Sequence, residues 1–535
     1  MPAMPDSTAV APSAVQPAAF TFAALTPTAF LDRSAAVFGD HLAVVDGDRR
    51  FTYAELRDRS RRLAGALRAS GAGDGVRVAV LAPNSSLSLE AHHGVPWAGA
   101  VLVPLNTRLN ASEIAYILDH SGTTVLLVDS ALAATARAAA AEAEGEVRVI
   151  EAGGPADAYE ELLAAAEPTA VPVRDEYGLL SVNYTSGTTG RPKGVMYHHR
   201  GAYLQALAMA FHNQLTADSV YLWTLPMFHC SGWCFTWGVT AAAGRHVCLR
   251  RVEPDRIWRA LRDEGVTHFS AAPTILTMLG NSPLAQDGLD RTVEVTTGGA
   301  PPSPALLARM ADLGVHMTHL YGLTETYGPA AISEWHREWD GLDPAEQAVR
   351  KARQGVCNVI GEAVRVLDGA NADVPADGSS MGEIALRGNN VMLGYYRDPE
   401  ATAAATADGY FRTGDLGVLH PDGYVELKDR SKDVIISGGE NIASVEVERA
   451  LESHPGVLEA AVIGIPDQKW GEVPIAYVTL RAGTAPTEAT AADIVAHVRG
   501  QIAHYKAPKR ILFTDLPKTS TGKIQKHELR GRPLD

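Results

Sequence analysis

Three short apolar runs, VRVAVLAP at 76–83, GAVLVPLN at 99–106 and TTVLLVDS at 123–130, follow one another with helix-compatible sequence between them. A strand apolar on both faces must be covered on both faces, and an intervening helix allows successive strands to lie parallel. The pattern predicts parallel α/β layers. With 535 residues, 46% of them hydrophobic, the chain has material for about three or four domain-sized units.

Charge and cysteine usage narrow the function classes. A formal net charge of -15 opposes nonspecific binding to nucleic acid. The balance is basic only over 501–535, where eight Lys/Arg face three acids; this reads either as a solvated tail or as a site for a small anion. Four cysteines do not make a disulfide scaffold, so a reducing compartment, the cytoplasm, is expected. The first 20 residues are rich in Ala, Pro and Ser, and no basic residue precedes Arg33; a disordered tail is expected there rather than a signal peptide. No apolar run reaches the roughly 18 residues of a membrane span, so no integral membrane segment is expected.

Texture changes along the chain suggest its organisation. From 355 to 427, Asp-Gly pairs at 368–369, 377–378, 408–409 and 422–423 punctuate short strands such as GEIALRG and GYVELKD, and a small β-rich subdomain is expected. Beyond DRSKDVIISGGENIAS the helix VEVERALES, the strands EAAVIGI and IAYVTLR, and a helix near IVAHVRGQIAHY fit an α+β unit of about a hundred residues. The break is placed near Arg430 to Asp433, giving domains at 21–430 and 431–535. The Ala-rich piece ALAATARAAAAEAEG is expected to be an exposed helix.

Two loops carry a lysine among small polar residues. YTSGTTGRPKGV (184–195) follows the strand candidate LLSVNY and precedes the helical AYLQALAMAF. Its glycines allow backbone N–H groups to turn toward an anion, its hydroxyls add donors, and Lys193 adds charge, as a polyphosphate requires. It is not a Walker A loop, because Pro192 and Gly194 stand where glycine and Ser/Thr belong. TSTGKIQK (519–526) fails the same test at Pro517 and Ile524.

With four further stretches, TTGGAPP (296–302), HLYGLTET (319–326), YFRTGDLG (410–417) and DRSKDVIISGGEN (429–441), these loops resemble the adenylate-forming superfamily, in its acyl-CoA synthetase branch. All six stretches occur in the family's order over residues 30–530. The resemblance implies a large N-terminal domain of layered α/β sheets with a small β-barrel-like subdomain, and a small mobile α+β C-terminal domain. It also implies ATP and Mg²⁺, with CoA as co-substrate. Lys523 matches the catalytic lysine that bridges the acyl carboxylate and the α-phosphate. Ser186, Gly187, Thr188, Thr189, Gly190 and Lys193 match the loop over the ATP phosphates. Thr185 and Glu325 match the Mg²⁺ positions. Gly299, Ala300, Pro301, Tyr321, Gly322 and Thr324 match the surroundings of the nucleotide, and Asp415 with Arg430 the ribose-binding pair. Lys432 falls on the hinge. Ser437, Gly438, Gly439 and Glu440 fall on the loop that lines the pantetheine tunnel once the small domain has rotated.

PMFHCSGWCFTWG (226–238) matches the acyl-binding stretch and supplies Phe228, His229 and Trp233. His229 is expected to orient the carboxylate or gate the pocket, with a structural histidine as the alternative. Trp233 matches a tryptophan that gates the fatty acyl tunnel. One C-x3-C with a single histidine lacks a fourth zinc ligand. Amino-acid-activating relatives carry an Asp in this stretch, and none lies between Pro226 and Gly238, so a hydrophobic acid is expected, whether aliphatic, branched, aryl or polycyclic. The expected reaction is formation of acyl-AMP and pyrophosphate, then acyl transfer to CoA, with Lys506, Lys509 and Arg510 near the CoA phosphates. Loading of a carrier-protein thiol, a luciferase-like oxidation and a non-catalytic acyl-adenylate binder are the alternatives. A homodimer stands open beside a monomer.

Overall fold

The computed structural model describes residues 23–154, 156–185, 192–299, 301–430, 433–437, 440–467, 469–519 and 522–532, so the tail over 1–20 lies outside it. The three apolar runs form strands Arg77–Leu81, Val101–Pro104 and Thr123–Asp129, adjacent and parallel in a seven-stranded sheet. Leu179–Tyr184 continues the parallel set beside Val101–Pro104, and Gly194–His198 and Gly394–Tyr395 extend that edge antiparallel. A nine-stranded sheet has a parallel centre running Leu42–Asp46, Arg245–Cys248, Val220–Trp223, His268–Ala271, Val293–Thr297 and Val315–Leu323. Helix Ser86–Trp97 contacts strands of both sheets and is buried along its whole length, which accounts for the lack of a polar face in SLSLEAHHGVPW. Its one acid, Glu90, is neutralised by Arg59 at 2.7 Å and accepts from the Tyr159 hydroxyl at 2.6 Å.

The β-rich subdomain expected over 355–427 is a four-stranded antiparallel sheet of Arg365–Leu367, Met381–Leu386, Phe411–Leu419 and Val425–Arg430. Asp422-Gly423 turns the last hairpin, with Gly423 at φ 82°. The C-terminal unit has a long antiparallel hairpin, Val457–Asp467 with Gly471–Leu480, joined by Arg510–Phe513 and by the small hairpin Ile435–Ser437/Glu440–Ile442, with helices Ser444–Glu452 and Glu488–Gln501. Among the described residues, no helix is long and apolar enough to cross a membrane.

One local expectation is corrected and another is extended. The Ala-rich segment is a helix, Ala133–Glu142, but it is not exposed all round: Ala133, Ala136 and Ala139 are buried, because methyl side chains allow close packing on the sheet. The helix expected near AYLQALAMAF is present, but it does not follow the 184–195 segment directly. Strand Gly194–His198 intervenes, antiparallel to Leu179–Tyr184, and helix His199–His212 comes only after it. The phosphate-loop candidate is therefore a hairpin connection, with no helix N-terminus at its end.

Candidate active site

Ligands of open α/β sheets sit beyond the carboxyl ends of the parallel strands, and the expected residues gather at that edge of the nine-stranded sheet. Val220–Trp223 leads to Phe228 and His229, and His268–Ala271 to Ala272 and Thr274. Val293–Thr297 leads to Gly298, Gly299 and Pro301, while Val315–Leu323 carries Tyr321 and Gly322 and runs into Thr324 and Glu325. Gly299 has φ 88° with open space where a side chain would stand. The four-stranded sheet adds Asp415. Tyr321 donates its hydroxyl to Asp415 Oδ2 at 2.7 Å, and both residues are buried, so the expected adenine-stacking and ribose-binding groups form one unit. Asp415 and Arg430 are register partners across the ladder.

The hairpin loop is closed at its base by Thr185 N–H donating to Lys193 O at 3.0 Å. Ser186, Gly187, Thr188, Thr189 and Gly190, and likewise Ala300, Lys432, Gly438 and Gly439, lie outside the described residues. Lys193 has a side chain 46% exposed, with Nζ 4.8 Å from the Tyr395 ring centre and 4.0 Å from Asp398. Tyr395 in turn donates its hydroxyl to Glu325 Oε1 at 2.8 Å. This link between the candidate phosphate-loop lysine and the candidate metal carboxylate has no sequence signature. Tyr395 belongs to a two-residue edge strand, and only its pairing with Gly194–His198 brings it here. Burial, then the Glu325 charge, raises its phenol pKa, so it remains a donor.

The acyl stretch has an unusual backbone. Cys230, Ser231, Gly232, Trp233 and Cys234 all have positive φ, between 51° and 63°, a left-handed turn in which only one of five residues is glycine. Its wall fixes that conformation: a methyl group on Gly232 would sit 2.5 Å from Trp223 Cζ3. The turn drives the Trp233 indole, 8% exposed, between two other glycines. A methyl group on Gly328 would meet Trp233 Cδ1 at 2.9 Å, and one on Gly298 would meet Cη2 at 3.2 Å. Cys230 donates to Thr324 Oγ1 at 3.6 Å and Cys234 to Tyr327 O at 3.8 Å, so both thiols serve packing; burial pushes Cys230 up to about 12.

The loop carrying Lys523 is docked on residues that follow strands of both large sheets, Arg108 after Val101–Pro104 and Thr274 after His268–Ala271. Arg108 Nη1 donates to Thr519 O at 3.1 Å and Thr274 Oγ1 to Gly522 O at 3.4 Å. Gly522, at φ 85°, is required by the contact, since a Cβ there would stand 2.4 Å from Thr274 Oγ1. Burial and then the Lys523 charge push the His229 imidazole down to about 4, which keeps it neutral beside the lysine at neutral pH. The two residues expected to act on the carboxylate thus come together although they belong to separate sequence units. Ser437 and Glu440 face each other across the small hairpin of the C-terminal unit. Arg108 and Thr274 carried no sequence signal, because each is defined only by what docks on it.

Comparison with known proteins agrees with this geometry. The AMP-binding enzyme family model matches residues 31–396, and the AMP-binding enzyme C-terminal domain model matches 446–523. The chain is 44% identical to the acetate–CoA ligase CCL3 of Humulus lupulus, covering 96% of this chain and 95% of that one. It is likewise 44% identical to the peroxisomal acetate/butyrate–CoA ligase AAE7 of Arabidopsis thaliana, with 96% and 95% covered. An ATP-bound crystal structure of MatB from Rhodopseudomonas palustris superimposes with a TM-score of 0.82 at 29% identity, over 95% of this chain and 99% of that one. The chain belongs to the AMP-binding enzyme family, the adenylate-forming superfamily that its six stretches resemble.

Proposed function

We propose that the protein is an AMP-forming acid:CoA ligase whose substrate is a short-chain carboxylic acid. The observation that carries the reading is the docking of the Lys523 loop on Arg108 and Thr274, next to a neutral His229. In the first half-reaction a carboxylate oxygen attacks the α-phosphorus of ATP and pyrophosphate leaves. Two anions must approach, so fixed positive charge at that point lowers the barrier. Lys523 supplies it, and neutral His229 orients the carboxylate without placing a second cation beside the lysine. Lys193 and the 186–190 segment hold the outer phosphates, while Tyr321, Asp415 and Arg430 hold the nucleoside together with Gly299, Ala300, Pro301, Gly322 and Thr324. The Glu325 carboxylate and Thr185 hydroxyl are hard oxygen donors that would hold Mg²⁺, which would offset phosphate charge when bound. In the second half-reaction the CoA sulfur attacks the acyl carbon, AMP leaves, and the thioester forms.

The sequence leaves acids from aliphatic to polycyclic open, and we favour the short-chain end of that range. The Trp233 indole stands against Gly298 and Gly328, and we take it as the wall that limits the acid to a few carbons. The two plant relatives named for acetate and butyrate support the same size class. We place the hinge at Lys432 between domains 21–430 and 431–535, with the segment from Ser437 to Glu440 lining the pantetheine path after rotation. A cytoplasmic location fits four free cysteines, although the Arabidopsis relative is named as peroxisomal. An acid panel from acetate to octanoate plus benzoate, scored by AMP release with and without CoA, tests the reading. CoA-dependent release should peak at two to four carbons, which are about the sizes a filled pocket admits; a peak at octanoate or benzoate would contradict it.

A further inference from the structure

Lys526, three residues beyond Lys523, belongs by composition to a basic solvated tail, yet its side chain is only 15% exposed. It opens the short helix Lys526–Arg530, forms an ion pair with Glu448 Oε1 at 2.7 Å, and donates to Ser444 Oγ. Ser444 begins helix Ser444–Glu452, and both its N–H and its hydroxyl donate to Asp429, the hydroxyl at 3.1 Å. Asp429 is 2% exposed and sits on strand Val425–Arg430, which belongs to the four-stranded sheet of the N-terminal domain. Glu448 is held in turn by Val462 N–H at 2.7 Å. One connected polar cluster therefore runs from the N-terminal side of the expected hinge, through the first helix after it, to the segment that carries the catalytic lysine.

We propose that Lys526 is a positioning residue for adenylation: through Ser444 and Glu448 it ties the Lys523 loop to Asp429 across the hinge and holds the docked orientation. The inference rests on the functional reading above. Burying an ion pair yields little net stability, because desolvation offsets the attraction, so simple stabilisation is a weak reason for this cluster. Geometry gives a better one. The loop is stiff between the two lysines: Gln525 N–H donates to Pro517 O at 2.8 Å, Thr519 N–H to Lys523 O at 2.7 Å, and Lys518 bridges Ile524. A stiff loop held at its rear by Lys526 presents its front to Arg108 and Thr274 in one register. Burial alone would lower the Lys526 pKa, but Glu448 and Asp429 outweigh it and raise it, so the ammonium stays charged. Rotation about residue 432 carries Ser444 and Lys526 away while Asp429 stays, so the tie belongs to the first half-reaction only.

The test uses the full-length enzyme and measures two rates: butyrate-dependent exchange between ATP and pyrophosphate, and CoA-dependent thioester formation from supplied butyryl-adenylate. Lys526→Met should slow exchange by about tenfold or more while changing thioester formation by less than about threefold, the scale of couplings exerted away from the reacting atoms. Lys526→Arg should restore exchange, which loss of an unspecific core contact would not require. Ser444→Ala deletes the bridging hydroxyl yet leaves the Glu448 pair intact, so it carries the same test, with a smaller effect, where Lys526→Met fails to fold. Equal losses in both half-reactions, or unchanged exchange, in the folded variants overturn the positioning role. A wild type without acid-dependent exchange overturns the functional reading, and the tie with it.

Discussion

At the level of single residues, the site is built from side chains whose chemistry is plain in sequence and from others that gain a role only through a neighbour. Lys523, Glu325 and Asp415 stood out through stretches that resemble the family's motifs in order; alone, a Glu after Thr reads as surface solvation and TGD as a turn. Tyr395 did not, although it joins Lys193 to Glu325. Tyr395→Phe removes the hydroxyl that fixes Glu325; a hydrogen bond to a charged group contributes ~1.5–3 kcal/mol, so kcat/KM for Mg·ATP should fall by an order of magnitude or more, with the acid profile unmoved. Trp233 has the opposite signature. Trp233→Ala empties the space between Gly298 and Gly328, so the preference for hexanoate over butyrate should rise by roughly tenfold or more, with each methylene contributing ~1–3 kcal/mol; an unchanged chain-length profile would remove Trp233 from the pocket.

At the level of elements, apolar runs spaced by helices were enough to read the parallel strands, and Asp-Gly pairs enough to read the antiparallel subdomain, because burial and turn geometry act locally. The left-handed turn from Cys230 to Cys234 was hidden. Nothing in CSGWC except Gly232 favours positive φ, and the conformation costs of order 1–2 kcal/mol for each non-glycine residue. Tertiary contacts impose it, chiefly Trp223 against Gly232 and the wedge of Trp233 between strand ends. Gly232→Ala should therefore lower stability by ~1–3 kcal/mol through overpacking, read as a shift in urea midpoint at constant slope, and should reduce activity by displacing Trp233. The strand between the phosphate loop and helix His199–His212 was missed for a related reason: GVMYH alternates too briefly to register, and its pairing partner lies across the loop.

On the scale of the whole molecule, acid sensitivity and domain docking follow from groups spread over both sheets. Burial holds His92, His198, His199, His229 and His319 down to about 4 and His246 to about 3. From pH 6.5 down to about 3 the unfolded chain binds protons at these positions that the folded chain does not, so stability falls as pH is lowered through that window. Melting temperature followed from pH 7.5 to 4.5 should drop continuously below pH 6.5; a flat profile would mean the histidines are not held neutral. The lysine loop and its docking residues Arg108 and Thr274 come from distant parts of the chain, a relation that motif order implied and spacing could not describe. Lys523 is expected to serve adenylation alone, from a domain that docks for that step. The most direct measurement is Lys523→Ala assayed separately for acid-dependent ATP–pyrophosphate exchange and for thioester formation from supplied butyryl-adenylate. Exchange should fall by at least about 100-fold, the scale for losing a preorganised charge stabiliser, with thioester formation near wild type; near-normal exchange, or equal loss of both, would contradict the account.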